Sequence, residues 1–562
     1  MPAQAVPEGS RDASAGPGWW QTGVVYQIYP RSFADTNGDG VGDLAGILEH
    51  LDHLAGRPES LGVDAIWLSP FFPSPDFDFG YDVADYVGVD PKYGSLADFE
   101  RLVEGCHARG MKVVIDLVLN HSSSQHAWFQ ASRASRGGPY ADWYIWRVSP
   151  GRSTTGARRA PNNWRSFFGG PAWTWDDARG QFYLHTFLPQ QPDLNWRNPA
   201  VREALLGVVR TWLDRGVDGF RLDVFNTFFK DERLRSNPRR VGRRGLWSWQ
   251  NHLYDRNQPE LLDLLRDLRA IVDEHPGRMS VGELFDGSLA EAAPLIQPGH
   301  LVFDWSMIDV PWSAAAFRRA IETRDAVFGA GRWPANVLSN HDQPRHASRH
   351  APEGEGAVGA AEGDARTRVA ATLLLTLRGT PFLYYGEELG LRNLRIPNAE
   401  ALDPPARRAN VLFPWWNRDQ ARGPMPWNAQ PGAGFTSGRP WLPLPPDFAR
   451  RNVAAESADE RSVLNTYRRL LQLRRATPAL ERGAQELVAQ DDADALTYVR
   501  TEGDAGAFVA LNFASRRVPV SVPAAPAGRT WRVAFSTADR ASSEALPETT
   551  TLGPLEALVA IS

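Results

Sequence analysis

The sequence holds a single cysteine, Cys106, so no intramolecular disulfide can form. That scarcity suits a reducing compartment, and a cytoplasmic location is the expectation. Cys106 falls at helical spacing with Phe99, Leu102 and Val103, which makes it a small buried hydrophobe and not a reactive thiol. No stretch approaches the roughly 18 consecutive apolar residues of a membrane span. The first 18 residues lack an apolar run and are rich in Ala, Pro, Gly and Ser, so they read as a disordered tail, not a signal peptide. A basic excess is also missing: Lys plus Arg is 61, Asp plus Glu is 66, and the formal charge is -5. That balance argues against a dedicated nucleic-acid binder. No Gly-rich phosphate fingerprint follows the first strand, which argues against an open dinucleotide-binding sheet. No strong internal repeat is visible.

What the chain does contain is aromatic surface: 21 Trp, 26 Phe and 13 Tyr. A ring face is an apolar platform with a polar rim and suits the C–H face of a sugar, although large cores use aromatics as well. A length of 562 residues, 43% hydrophobic and 23% charged, is that of a soluble globular protein of about three domains.

Short apolar runs at residues 24–29, 65–68, 112–117, 217–223, 279–283, 301–303, 337–338 and 381–384 read as strands. Amphipathic helices lie between them. Ser95 and Asp98 form a capping box before the stripe Leu96, Phe99, Leu102, Val103, Cys106, and Gly110 stops that helix. Val201, Leu205, Val208, Val209 and Trp212 repeat the pattern, with Gly216 as the stop. Strands alternating with helices imply parallel pairing. The expected fold is α/β: a (β/α)8 TIM barrel with an inserted subdomain after strand three and a C-terminal antiparallel β-sandwich domain. The boundaries expected are a tail over 1–18, barrel over 19–121 and 194–485, insert over 122–193, and β domain over 486–562. The insert is the Trp-, Gly- and Ser-rich stretch after Asn120-His121, too long for a loop. The β domain rests on alternating runs such as 496–500, 508–513, 531–535 and 557–561.

Barrel enzymes carry their chemistry at the C-terminal ends of strands. Polar residues stand at four such ends: Asp116 to His121, Arg221 to Asp223, Glu283, and Asn340 to Gln343. Two close carboxyl groups suit glycoside chemistry, one attacking the anomeric carbon and the other protonating the leaving oxygen. Arg221 lies two residues before Asp223, on the same face of a strand, where it can hold Asp223 ionised. Spacing alone leaves open which carboxylate takes which role.

These segments together resemble the conserved regions of the α-amylase superfamily, glycoside hydrolase family thirteen, over about residues 19–562. The signposts are Tyr26-Gln-Ile-Tyr-Pro-Arg-Ser-Phe33, Gly80-Tyr-Asp-Val83, Gln191-Pro-Asp-Leu-Asn195 and Asn340-His-Asp-Gln343. They look closest to the branch of α-glucosidases, oligo-1,6-glucosidases and related glucosyltransferases. The resemblance implies Asp223 as nucleophile, Glu283 as acid/base and Asp342 as transition-state stabiliser. It implies His121 and His341 as sugar-binding histidines and Tyr81 as the aromatic platform. Asp82 resembles the residue gripping the non-reducing-end hydroxyls, with Arg422 working beside it to close one end of a pocket. Where this branch usually has Thr and Gln, the chain has Gly423 and Pro426. Val224, next to Asp223, resembles the residue that biases bond choice toward α-1,6, at about 1–3 kcal/mol. The activity implied is a broad exo-acting α-glucosidase on short α-1,4 and α-1,6 gluco-oligosaccharides. The alternative is a glucosyltransferase or isomerase sharing the covalent intermediate. The partner implied is a small oligosaccharide, with no nucleic acid and no membrane; oligomeric state stays open.

Asp35, Asn37, Asp39 and Asp43 alternate along a Gly-rich loop of hard oxygen donors suited to Ca2+. It is not an EF-hand, because position twelve is Gly46 and the loop follows a strand. It resembles a structural calcium loop after strand one, with Asp35, Asn37, Asp39, Asp43 and the Val41 carbonyl as ligands. The arginines at 233, 235, 239, 240, 243 and 244 read as a solvated loop near the pocket mouth.

Overall fold

The computed structural model describes residues 18–241, 247–296, 300–352, 357–408 and 417–562. The expected tail, up to residue 17, and Arg243 and Arg244 lie outside the described residues. Eight parallel strands close into a barrel: β1 (Val25–Ile28), β2 (Ala65–Leu68), β3 (Lys112–Leu117), β4 (Gly219–Leu222), β5 (Met279–Gly282), β6 (Leu301–Asp304), β7 (Ala335–Val337) and β8 (Thr380–Tyr384). Each pairs with its neighbours in chain order, and β1 pairs with β8. Only Lys112 of these residues is not buried, which is why the strands read as continuous apolar runs and not as alternating ones.

The helices between them form for reasons visible in the sequence. Helix Leu96–His107 starts on the Ser95–Asp98 capping box and buries Phe99, Leu102, Val103 and Cys106. Helix Pro199–Asp214 starts on the Asn198 side chain, with Pro199 in its first turn. Gly110 and Gly216 end the two helices at φ +75° and +88°, a conformation that would strain a side chain. Inside the barrel Trp67, Phe303 and Phe382 pack ring on ring, centroids 4.8–6.3 Å apart. They form a solid floor under the polar layer above.

Between β3 and β4 the chain leaves to build helix Ala127–Ala134 and a three-stranded antiparallel sheet of Trp146–Arg147, Gln181–Leu184 and Trp173–Asp176. The insert is tied at its neck, where His121 bridges Asp193 and the Leu194 N–H donates to the Asn120 carbonyl at 2.9 Å. After the barrel, a five-stranded antiparallel sheet begins at Ala484–Val488, and a two-stranded sheet of Val518–Ser521 and Thr549–Leu552 lies with it. Among the described residues no helix is long and apolar enough to cross a membrane.

Candidate active site

The register of the barrel assembles the site. Asp116 on β3 is the register partner of Arg221 on β4. The backbone ladder then runs one residue past the strands: Asp223 N–H donates to the Leu117 carbonyl at 3.0 Å, and Glu283 N–H to the Leu222 carbonyl at 2.9 Å. Asp223 and Glu283 therefore emerge at one level at the C-terminal mouth.

Arg221 is fully buried and holds three carboxylates. One terminal nitrogen donates to Asp116 at 2.7 Å and to Asp223 at 2.6 Å; the other donates to Glu283. Asp223 and Glu283 are thus held side by side by the two terminal nitrogens of one guanidinium. Burial pushes both carboxyls up, their mutual repulsion adds to that for Asp223, and Arg221 opposes it. The pair thus retains a proton where free carboxyls would have lost theirs. Burial raises Asp116 to about 6 against the pull of Arg221. Asp342 behaves oppositely. Burial alone would raise it, but His341, Arg418 and Arg422 hold it well below the usual carboxylate range. Arg422 donates to it at 2.8 Å and Arg418 at 3.2 Å.

Two buried histidines, His341 and His121, lie against Tyr81 as neutral rings. Burial lowers His341 to about 3 and His121 to about 4. The Gln27 amide nitrogen lies 2.8 Å from His341 Nδ1, and the Tyr81 hydroxyl lies 2.6 Å from His341 Nε2. The Tyr81 hydroxyl donates its proton to Asp116 at 3.0 Å, so the His341 ring N–H must be the donor toward the phenol oxygen. The Tyr81 and His341 rings stack at 5.3 Å. Val224 sits at φ +36°, a strained backbone for a β-branched residue, where the chain turns from β4 into the loop.

One expected pair is corrected. Asp82 does not meet Arg422. Its carboxylate accepts from Ser74 Oγ at 2.9 Å and from the Phe77 and Asp78 N–H groups, and burial pushes it up to about 7. Arg422 instead donates to the His341 carbonyl and to Asp342. The Asp–Arg pair beside Asp342 is instead Asp78 and Arg418, at 2.6 Å, with Asp403 on the same guanidinium at 2.7 Å. Phe79 at φ +48° and Gly80 at φ +101° turn the chain so that Asp78 shares the side of Tyr81 while Asp82 faces away. Asp78 and Arg418 carry no signal separating them from Asp82 and Arg422 in a single sequence.

The loop expected to hold calcium is folded on its own hydrogen bonds. Asp35 accepts from the N–H groups of Asn37, Gly38 and Gly40, at 2.8–3.0 Å, and Asp39 from that of Val41 at 2.8 Å. Asp43 caps helix Leu44–Glu49 through Gly46 N–H. Among the described residues no group of three or more His, Cys, Asp or Glu side chains is arranged to hold a metal ion. The hard oxygens suit Ca2+, but a cation here would need the Asn37 amide oxygen and the Val41 carbonyl beside the carboxylates.

Comparison with known proteins agrees with this architecture. Residues 27–483 match the model of the α-amylase catalytic domain. A probable α-glucosidase of Rhizobium meliloti (strain 1021) is 44% identical, covering 90% of this chain and 91% of its own. The oligo-1,6-glucosidase of Parageobacillus thermoglucosidasius is 36% identical, covering 96% and 98%. The crystal structure of an α-glucosyl transfer enzyme superposes with a TM-score of 0.87 at 41% identity, covering 97% of this chain and all of that one.

Proposed function

From a chain that belongs to the α-amylase family and is a glycoside hydrolase, we propose a retaining, exo-acting α-glucosidase that releases α-glucose from the non-reducing end of short gluco-oligosaccharides. The observation that carries this is the Asp223–Glu283 pair held on one guanidinium, beside a pocket end shut by Asp78 and Arg418. Two carboxyls bound by the terminal nitrogens of one guanidinium suit the short spacing of retaining enzymes, about 5–5.5 Å, better than the inverting spacing, about 6.5–9.5 Å.

In this reading Asp223 attacks the anomeric carbon while Glu283 gives its proton to the glycosidic oxygen. The C–O bond breaks and a glucosyl ester forms on Asp223. Glu283, now a carboxylate, takes a proton from an incoming water whose oxygen displaces Asp223. Asp342 stays ionised between Arg418 and Arg422 and stabilises positive charge on the ring. Tyr81, His121 and His341 hold the sugar, and Val224 borders the acceptor. A transfer reading has its own support. Phe285, two residues past Glu283, stands edge-on to Phe167 and Phe187 with centroids at 4.5 and 5.3 Å, a wall on which an acceptor sugar could stack.

The test is product analysis on maltose, isomaltose and sucrose, with early NMR of the released anomer. Free α-glucose as the first product from maltose or isomaltose is expected. First release of the β-anomer would sink the retaining reading. Disaccharide products exceeding glucose at high sugar would replace hydrolysis by transfer.

We further propose a structural Ca2+ at Asp35, Asn37, Asp39, Asp43 and the Val41 carbonyl, cross-linking the loop after β1. Chelation should lower Tm by about 1–2 °C, corresponding to about 1–2 kcal/mol, and added Ca2+ should restore it; a Tm indifferent to both would remove the metal. The lone buried Cys106 supports a cytoplasmic setting.

A further inference from the structure

Lys230 lies seven residues past Asp223 and is buried. Its ammonium donates to Asn120 Oδ1 at 2.7 Å, to the Thr227 carbonyl, and faces Asp193 Oδ2 at 2.9 Å. Three partners take up its three hydrogens. They come from the end of β3, from the loop after β4 and from the returning neck of the insert, so one cation ties three segments.

This contact settles the orientation of the Asn120 amide. Its nitrogen donates to Asp193 Oδ1 at 3.2 Å and to His121 Nδ1 at 3.1 Å. Reversed, the amide would set its NH2 against an ammonium and its oxygen against a carboxylate. His121 Nδ1 is therefore an acceptor, and the ring proton sits on Nε2, which reaches the Tyr81 carbonyl at 3.0 Å. Gln191 Nε2 is 3.2 Å from the same atom, but its hydrogens serve Asp78 Oδ2 at 3.1 Å and the Tyr81 carbonyl at 3.2 Å.

We propose that Lys230 is a positioning residue that acts through Asn120 to keep His121 neutral and in its Nε2–H form, so that the ring stays anchored on the Tyr81 carbonyl, in the orientation it presents to the sugar. The sugar contact rests on the reading of His121 given above; the tautomer does not. The charged groups facing His121 are Lys230 and Asp193 at the neck, with Asp78 reached through Gln191 from the loop after β2. Lys230 opposes and Asp193 favours a second proton on the ring.

The experiment is 15N NMR of histidine-labelled, ligand-free enzyme, with the His121 signals identified by His121→Ala, alongside the pH profile of kcat/KM. Wild type should show neutral Nε2–H down to about pH 5. Lys230→Met leaves Asp193 unpaired, so His121 should gain a second proton, and the acid limb of kcat/KM should move up by about one pH unit or more. Lys230→Met with Asp193→Asn removes the unpaired charge and should return the limb to the wild-type position, an outcome that a purely structural role for Lys230 would not produce. Asn120→Asp tests the same link with Lys230 in place and should draw a proton onto Nδ1. Wild-type His121 signals in a folded Lys230→Met or Asn120→Asp protein would overturn the proposal. If His121→Ala itself leaves kcat/KM unchanged, the sugar role of His121 fails, while the NMR still decides the tautomer.

Discussion

Asp223→Asn should lose about 10⁴- to 10⁶-fold in kcat and keep or gain thermal stability at neutral pH. The loss follows from covalent chemistry: an amide is no nucleophile toward an anomeric carbon, and no other carboxylate occupies its place on Arg221. The stability follows from linkage. The Asp223 carboxyl is raised by burial, then by Glu283 and Asp116, with Arg221 opposing. A carboxyl raised above its unfolded value binds a proton more tightly in the folded state. Its contribution is then complete at low pH and fades as pH rises through the folded value. At neutral pH the charged Asp223 weighs against the fold, and an uncharged Asn relieves that weight. Melting curves of both proteins from pH 4 to 8 check this: the gap in favour of Asn should open as pH rises. Asp342 has the opposite sign, because its carboxyl is lowered and its contribution is lost as pH falls. A purified Asp223→Asn with substantial turnover would move the nucleophile elsewhere; one that melts far below wild type would mean that Arg221 needs all three of its carboxylates.

The barrel was legible because strands buried on both faces are apolar runs closed by glycine, and because a cap such as Ser95–Asp98 states a helix start in four residues. The four polar strand ends were legible together: any one could be a helix cap or a loop ion pair, but four at equivalent positions point to one end of one barrel. Legibility stopped where the backbone leaves regular periods. Asp78 and Asp82 flank Tyr81, and alternation cannot say which faces the sugar once Phe79 and Gly80 take positive φ. Arg418 and Arg422 are four apart at the ends of one 3-10 turn, and both reach Asp342. Only the fold shows that Arg418 continues to Asp78 while Arg422 turns to the His341 carbonyl. Lys230 stood near a loop of arginines and shared their appearance, although its partners are all buried. Burial of a long charged side chain leaves no mark on composition; it is decided by segments distant in sequence that happen to supply acceptors.

Glu283→Gln should separate substrates by their leaving groups. The Glu283 carboxyl is raised by burial, with the negative charge of Asp342 adding to it and Arg221 opposing, so it holds a proton to give. A glucosyl group leaving from a sugar hydroxyl needs that proton, and maltose turnover should fall by about 10²- to 10⁴-fold. An aryl glucoside with an acidic phenol leaves without help, so its glucosyl-enzyme should still form. The amide of the variant cannot take a proton from water, so the ester on Asp223 should accumulate, giving a burst of phenol followed by slow turnover. Removing one carboxylate from Arg221 leaves its cation to Asp116 and Asp223, which favours an ionised nucleophile and keeps the first step competent. A small anion such as azide attacks without base catalysis and should speed the second step, releasing glucosyl azide. Intact mass of the burst-phase protein should show one added glucosyl unit. Equal losses on maltose and the aryl glucoside, with no burst, would remove Glu283 from the acid/base role and leave Asp342 as the carboxyl to test in its place.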